Sequence, residues 1–210
     1  MTSRMKDRGG NFLAQAPATA VLMGINVLVF VIETLAGGSR NAEVAYLFGA
    51  QATPWIEQGQ VWRLFTAMFL HFGLMHIVCN MWSLSCVGPG IEHFFGVGRY
   101  LAIYLGAGLL GNLSTWGIEH ITGIYAVSAG ASGAIFGVFG AYLALYLLPS
   151  MRGRVNLRAI VITLILNVAY GLTYANVNMV AHFGGLAGGA LIAALFIIAG
   201  KLAARRRLRS

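Results

Sequence analysis

Long apolar segments separated by short polar ones dominate the pattern along this chain. The first runs over residues 17–36, and residues 64–91 and 100–118 contain no Asp, Glu, Lys or Arg. Residues 159–200 are also free of these charged types, and a segment of that length accommodates two membrane spans of about 20 residues each. The pattern therefore predicts six transmembrane helices, at about 17–36, 69–88, 98–118, 132–149, 158–173 and 179–200.

Composition supports lipid as the solvent of this chain. Hydrophobic residues make up 58% of it and charged residues only 10%, whereas soluble domains carry about 25% charged residues. We expect an all-α membrane protein with one six-helix domain at 16–200, a short polar tail at 1–15 and a basic tail at 201–210. The first apolar run is too long for the apolar part of a signal peptide, so it is predicted to remain as a span.

Basic residues set the predicted orientation. With the N-terminus in the cytoplasm, the cytoplasmic segments hold 12 of the 14 Lys and Arg residues, and the outer loops hold only Arg40 and Arg63. This bias follows the positive-inside rule and places both termini in the cytoplasm. We therefore attribute the formal net charge of +8 to basic residues that set the membrane orientation and to contact of the C-terminal tail with anionic lipid. We do not attribute it to nucleic-acid binding.

The segment at about 37–68 is predicted to be a long outer loop. It contains Pro54, Trp55, Trp62 and Arg63, and aromatic residues of this kind favour the membrane interface. Long ordered loops are often functional, so this interfacial loop is expected to belong to the working part of the protein.

Three sets of polar residues fall within the predicted spans. His71, His76 and Asn80 are placed in the outer half of the second span, and His76 and Asn80, four residues apart, share a helix face. Ser132 opens the fourth span, and His182 lies near the outer end of the sixth. The predicted topology brings all three sets to one depth, where intramembrane ionisable residues indicate a functional site.

A catalytic interpretation of Ser132 requires a base that removes its hydroxyl proton, and His182 is the candidate. No Asp or Glu follows Glu119, and no motif places an earlier acid in a triad, so a Ser–His dyad is predicted. The start of a helix offers unpaired N–H groups and a positive dipole end to an oxyanion, and His76 and Asn80 could add donors.

Small residues predict close contact between the fourth and sixth spans. They form one strip at Gly133, Gly137 and Gly140 and a GxxxG pair at Gly185 and Gly189. Small residues at this spacing allow two helix backbones to approach closely.

Other interpretations of these residues stay open at this point. Ser132 could serve packing alone, and the three histidines could bind zinc, although no carboxylate supports such a site and the spacing is not H-E-x-x-H. A non-catalytic protein that binds membrane helices and a small transporter are further alternatives, but a transporter would carry charged pairs at mid-membrane. No metal or other cofactor is expected.

Five motifs together resemble the rhomboid family of intramembrane serine proteases. They occur in the same order as in the family, and the resemblance covers residues from about 17 to 200. They are "WR" at 62–63, "HFGLMHIVCN" at 71–80, "GIEHFFGVGRY" at 90–100, "GASG" at 130–133 and "AHFGGLAGG" at 181–189.

The resemblance implies roles for the residues in these motifs. Ser132 would be the nucleophile and His182 the general base and then acid, with His76, Asn80 and the Ser132 backbone N–H as the oxyanion hole. Phe136 occupies the position of an aromatic residue that packs on the histidine. The supporting residues would be His71, Gly130, Gly133, Gly185 and Gly189, with Trp62 and Arg63 as the loop anchor and Glu92 and Arg99 as a structural polar pair.

The resemblance also implies the setting of the reaction. The chain is similar to the family's minimal six-helix prokaryotic form. That form is a multi-pass protein of the inner membrane whose site opens to the periplasmic or extracellular side. The expected partners are single-pass transmembrane substrates and membrane lipids, without nucleic acid. Cleavage would occur near the outer end of the substrate helix through an acyl-enzyme, with the fifth span and the loop at 174–178 as a mobile gate.

Overall fold

The computed structural model of this chain describes residues 15–153, 155–173 and 178–207. Within these ranges the regular structure is helical, and nine α-helices follow one another. They are α1 (Pro17–Leu35), α2 (Ala42–Phe48), α3 (Thr53–Glu57), α4 (Arg63–Thr66), α5 (Leu74–Phe95), α6 (Val97–Thr122), α7 (Ser132–Tyr146), α8 (Leu157–Thr173) and α9 (Met179–Arg207). Most of the predicted N-terminal tail, residues 174–177 of the predicted gate loop and residues 208–210 lie outside the described residues.

Four of the described helices are long and apolar enough to cross a membrane, namely α1, α5, α6 and α9. The helix α7 and the apolar part of α8, Ile160–Ala169, are shorter. Their composition and length support a multi-pass membrane bundle. The count of six spans and the side on which each terminus lies remain predictions.

The second predicted span, 69–88, differs from the helix that the structure contains. A 3₁₀ turn covers Ala67–Phe69, Leu70 is extended, and α5 begins only at Leu74, after Gly73 with φ of +97°. His71 therefore lies before the helix rather than inside it. The apolar run preceding Gly73 reflects burial within the protein, since Ala67, Met68 and Leu70 are almost fully buried, and hydropathy does not distinguish such burial from contact with lipid.

The predicted interfacial loop is folded into the helices α2, α3 and α4. Arg63, only 1% exposed, holds them together: its Nη1 atom donates to the carbonyl oxygens of Tyr46 at 2.9 Å and Ala50 at 3.0 Å. Its guanidinium also lies within 5 Å of the ring centroids of Tyr46, Trp55 and Trp62. Burial lowers the pKa of Arg63, an effect that the neighbouring Tyr46 opposes.

The helix α7 is the centre of the bundle, with ten of its 15 residues buried. Its backbone touches that of α9: a Cβ atom added at Gly185 would overlap the carbonyl oxygen of Gly133, and one at Gly189 would overlap that of Gly137. The two glycine strips therefore bring the helices together as small-residue faces do in membranes.

Glu92 has a different partner from the one that the family resemblance implied. Its carboxylate accepts hydrogen bonds from the backbone N–H groups of Ala18 and Thr19, both at 2.8 Å, and from the Thr19 hydroxyl at 2.7 Å. The predicted pair with Arg99 is therefore wrong, and the Arg99 guanidinium lies over the Phe196 ring at 5.9 Å. The reason is that the unpaired N–H groups and positive dipole at the start of α1 attract the carboxylate.

The last helix is longer than the predicted sixth span. It continues to Arg207, so residues 201–207 of the predicted basic tail are helical rather than a separate segment. At 1.5 Å per residue, its 29 residues extend about 44 Å, beyond the roughly 30 Å of a bilayer's hydrocarbon core.

Candidate active site

Ser132 is the first residue of α7, and the segment that leads to it is fixed to the interfacial helices. Ser128 and Gln51 exchange two backbone hydrogen bonds of 2.9 Å, and the Gly130 N–H donates to the Ala67 carbonyl at 2.8 Å. Gly130 has φ of +140°, which a residue with a side chain rarely adopts. Because the first N–H groups of a helix have no partner within the helix, the Ser132 N–H is available to a ligand.

His182 lies in the first turn of α9 and faces Ser132. Its Nε2 atom is 2.8 Å from the Ser132 hydroxyl oxygen, within hydrogen-bond distance. Gly185, one turn later, makes the backbone contact with α7 described above, and this contact accounts for the close approach of the two side chains.

Phe136, one turn after Ser132, stacks on the other side of the imidazole. The two ring centroids are 4.1 Å apart and the planes differ by 16°. Phe136 is 1% exposed and is backed by Phe139, whose ring meets it edge to face at 5.9 Å. The packing leaves the His182 ring little freedom to rotate.

The second ring nitrogen of His182 has no acidic partner in the described part of the chain. Its Nδ1 atom is buried and makes no hydrogen bond there. Two other acids are engaged elsewhere: Glu119 accepts from the Thr53 hydroxyl at 2.6 Å, and Glu57 contacts His120 at 2.6 Å. The described geometry is thus that of a Ser–His pair whose imidazole is oriented by packing.

His76 lies in the first turn of α5, and one edge of its ring faces the segment that leads to Ser132. Its Nδ1 atom accepts the Phe72 N–H at 3.2 Å, so the neutral ring carries its proton on Nε2, as inferred from this hydrogen bond. A Cβ atom added at Gly130 would lie 2.9 Å from both Nε2 and Cε1 of His76. The donor edge of His76 is therefore in contact with the loop beside Ser132.

A small cavity of about 20 Å³ lies at this point, and a cavity of that size has room for roughly one water molecule. It joins Ser132 to His76 and to the start of α9. It is lined by His76, Asn112, Ser128, Ala129, Gly130, Ser132, Gly133, Asn178 and Ala181.

Asn80 and His71 do not line this cavity. The Asn80 side chain is buried, and its Nδ2 atom donates to the His76 carbonyl one turn earlier, at 3.1 Å. His71 is fully buried behind His76, with 5.1 Å between the ring centroids. The suggested role of Asn80 in an oxyanion hole stays a prediction.

Asn178 is a site residue that the sequence analysis assigned only to a loop. Its Oδ1 atom accepts the Ala181 N–H at 2.9 Å at the start of α9, and its Nδ2 atom donates to the hydroxyls of Thr115 at 2.9 Å and Ser128 at 3.1 Å. An Asn four residues before His182, at a predicted helix start, is a capping signal that the sequence did contain. Asn112, which also lines the cavity, gave no such signal.

The described residues contain no group of three or more His, Cys, Asp and Glu side chains placed to hold a metal ion. His71 and His76 approach each other, but the Nδ1 atom of His76 is occupied by Phe72. The chemistry that these residues offer is that of a hydroxyl beside an imidazole, with N–H donors from His76 and from the start of α7.

Comparison with known proteins identifies the family. A rhomboid domain model matches residues 58–199. The chain is 38% identical to rhomboid protease GluP of Bacillus subtilis over 180 residues. This alignment covers 84% of the chain but 34% of GluP. The chain is 30% identical to the putative rhomboid protease YdcA of the same organism over 191 residues. This alignment covers 89% of the chain and 92% of YdcA. RHOMBOID-like protein 1 of Arabidopsis thaliana is 36% identical over 146 residues, covering 68% of this chain and 36% of that protein.

The chain thus spans about a third of GluP and nearly all of YdcA. The domain match includes His76, Ser132 and His182, which are residues that the geometry places in or beside the site. This chain belongs to the rhomboid family.

Proposed function

We propose that this protein is an intramembrane serine endopeptidase that cleaves substrate transmembrane helices near their outer ends. The observation that carries the proposal is the 2.8 Å contact between the His182 Nε2 atom and the Ser132 hydroxyl. The names of two relatives, rhomboid protease GluP and putative rhomboid protease YdcA, support the same reaction class.

In the proposed mechanism the Ser132 oxygen attacks the scissile carbonyl carbon while His182 takes the hydroxyl proton. The oxyanion receives hydrogen bonds from the Ser132 N–H and from the Nε2–H of His76. His182 then gives its proton to the leaving amine, and an ester to Ser132 remains. Water, deprotonated by His182, attacks the ester carbonyl; the bond to the Ser132 oxygen then breaks, His182 returns the proton to that oxygen, and the second product leaves with a new carboxyl group, which restores the dyad.

The proposed topology has six spans with both termini in the cytoplasm, in the inner membrane of a prokaryotic cell. At 1.5 Å per residue, the 15 residues of α7 extend about 22 Å, less than the roughly 30 Å of the hydrocarbon core. A short helix surrounded by longer ones supports the proposal that Ser132 lies below the outer membrane surface, in a site open to the periplasmic or extracellular side. The basic end of α9, with exposed Lys201, Arg205 and Arg206, would then lie among anionic lipid headgroups.

The proposed substrates are single-pass transmembrane proteins with small residues before the cleaved bond. The cavity beside Ser132, of about 20 Å³, accommodates only a small group without rearrangement. A substrate helix entering the site has to unwind locally, because its scissile carbonyl must reach both the Ser132 hydroxyl and the N–H groups that donate to the oxyanion.

The direct test is cleavage of a single-pass transmembrane peptide by the purified protein in proteoliposomes, with the products identified by mass. We expect cleavage near the outer end of the peptide and none with Ser132→Ala. Ser114→Ala is the matched control, because among the described residues the Ser114 hydroxyl donates to the Leu110 carbonyl within its own helix. Intact peptide with folded wild-type protein, or equal cleavage by Ser132→Ala, would contradict the proposal.

A further inference from the structure

Glu33 is a carboxylic acid buried within the first long apolar helix. It is fully buried, as are Thr19 and Asn26, which precede it at intervals of seven residues on the same face of α1. An ionisable side chain inside a membrane helix is costly and marks function by default. The proposed dyad does not use this carboxyl, so its presence requires another explanation.

The carboxyl of Glu33 contacts the turn that precedes α5. Its Oε2 atom accepts the backbone N–H of His71 at 3.2 Å, whereas its Oε1 atom has no hydrogen-bond partner among the described residues. The contact with His71 is therefore the one polar contact that the described residues give this carboxyl.

The same turn holds the His76 ring. The N–H of Phe72, the residue after His71, donates to the Nδ1 atom of His76 at 3.2 Å. Two consecutive backbone N–H groups thus point in defined directions, one to Glu33 and one to His76. A shift of the turn away from Glu33 would also move the donor that fixes the proton of His76 on Nε2.

A side-chain contact reinforces this connection. The His71 ring, fully buried, meets the His76 ring edge to face, with centroids 5.1 Å apart and planes at 62°. His76 is therefore held by the backbone of Phe72 and by the ring of His71, and Glu33 anchors the short segment that carries both.

We propose that Glu33 is a positioning residue, whose carboxyl oxygen fixes the 71–72 turn so that the Nε2–H of His76 points toward the cavity beside Ser132. This inference rests on the proposed function, in which that N–H stabilises the oxyanion. The contact needs an acceptor oxygen at the right reach and no negative charge, because its partner is a neutral backbone amide.

Reach and charge can be separated by two substitutions. Glu33→Gln keeps the chain length and one oxygen acceptor but removes the charge. Glu33→Asp keeps the charge but withdraws the oxygen from the His71 N–H by one methylene. Asn26→Leu is the matched control, a buried polar residue of the same helix face whose Nδ2 atom donates within α1, to the Leu22 carbonyl at 2.7 Å.

The experiment measures kcat and KM for a transmembrane peptide with the full-length purified protein, together with Tm for each variant. For Glu33→Asp we expect a kcat loss of about tenfold with little change in KM, smaller than the roughly 100-fold or greater loss on removal of an oxyanion donor. Glu33→Gln and Asn26→Leu should stay close to the wild type.

Wild-type kcat in Glu33→Asp, or an equal loss in Glu33→Gln or Asn26→Leu, would overturn the inference. If Glu33→Asp does not fold, the Gln variant decides: reduced kcat at normal Tm overturns the inference, and wild-type kcat supports it. Failure of the wild-type protein to cleave would instead contradict the proposed function, so the two failures are distinguishable.

Discussion

Phe136 lies flat against the His182 imidazole, with ring centroids 4.1 Å apart and planes 16° from parallel. The opposite partner of the imidazole is Ser132, at 2.8 Å from Nε2, while the buried Nδ1 atom has no partner in the described residues. In the proposed dyad, packing on one face of the ring would orient the imidazole, a role that a carboxylate has in a catalytic triad.

Phe136→Leu is expected to lower kcat by about tenfold, because a branched side chain does not provide the flat surface that fixes the imidazole. Phe139→Leu is the control, since Phe139 is equally buried and touches Phe136 but is not stacked on the histidine. Stability should fall by a similar amount in both, on the order of 1 kcal/mol. Equal losses of kcat in the two variants would contradict the positioning role of Phe136.

Asn178→Ala is expected to lower both stability and kcat. It removes the cap of the helix that carries His182, a loss of about 1 kcal/mol, together with the hydrogen bonds to Thr115 and Ser128. Asn178→Asp keeps the capping oxygen but not the amide donor, so its Tm should lie between those of Ala and the wild type. Thermal unfolding and peptide cleavage check this, and wild-type values for Asn178→Ala would refute it.

Gly189→Ala should destabilise the protein, because its Cβ atom would overlap the backbone of Gly137. Overpacking of this kind costs about 1–3 kcal/mol. Gly200→Ala, in the same helix, is the control because nothing lies within 4 Å of an added Cβ there. We expect a clear fall in Tm for the first variant and none for the second; matching Tm values would mean that the α7–α9 contact is looser than described.

Neutralising Glu57 and Glu119 one at a time should leave catalysis close to the wild type. Glu57 and Glu119 are engaged with His120 and Thr53, so Glu57→Gln and Glu119→Gln do not alter the His182 ring. Loss of an orienting acid in a triad lowers kcat by roughly 10⁴-fold. A fall of that size in either variant, measured as kcat for peptide cleavage, would identify an acid that acts on His182 and exclude the dyad.

The sequence was informative about Ser132 and His182 because each stands at a helix start next to a glycine strip, and the structure brings the two together. These features depend on a predicted helix start and on a repeat of small residues, both of which can be read directly from a sequence. The packing role of Phe136, in contrast, was implied only by the resemblance to the rhomboid family.

Other features depend on contacts between residues that are distant in sequence. Glu92 meets Ala18 and Thr19, more than 70 positions away, and nothing near Glu92 indicates that partner. The start of α5 at Leu74 could not be located from hydropathy, because the preceding residues are apolar for burial inside the protein. The contact between Glu33 and His71 likewise joins α1 to the turn before α5, 38 positions away, and is visible only in three dimensions.

The central claim is that His182 activates Ser132 as a nucleophile, and covalent labelling tests it most directly. The folded protein is treated with a fluorophosphonate, and the modified residue is located by peptide mass mapping in the wild type and in His182→Ala. We predict one adduct, on Ser132, in the wild type and almost none in the folded His182→Ala protein. No adduct on Ser132 of the folded wild type, or equal labelling without His182, would contradict the account.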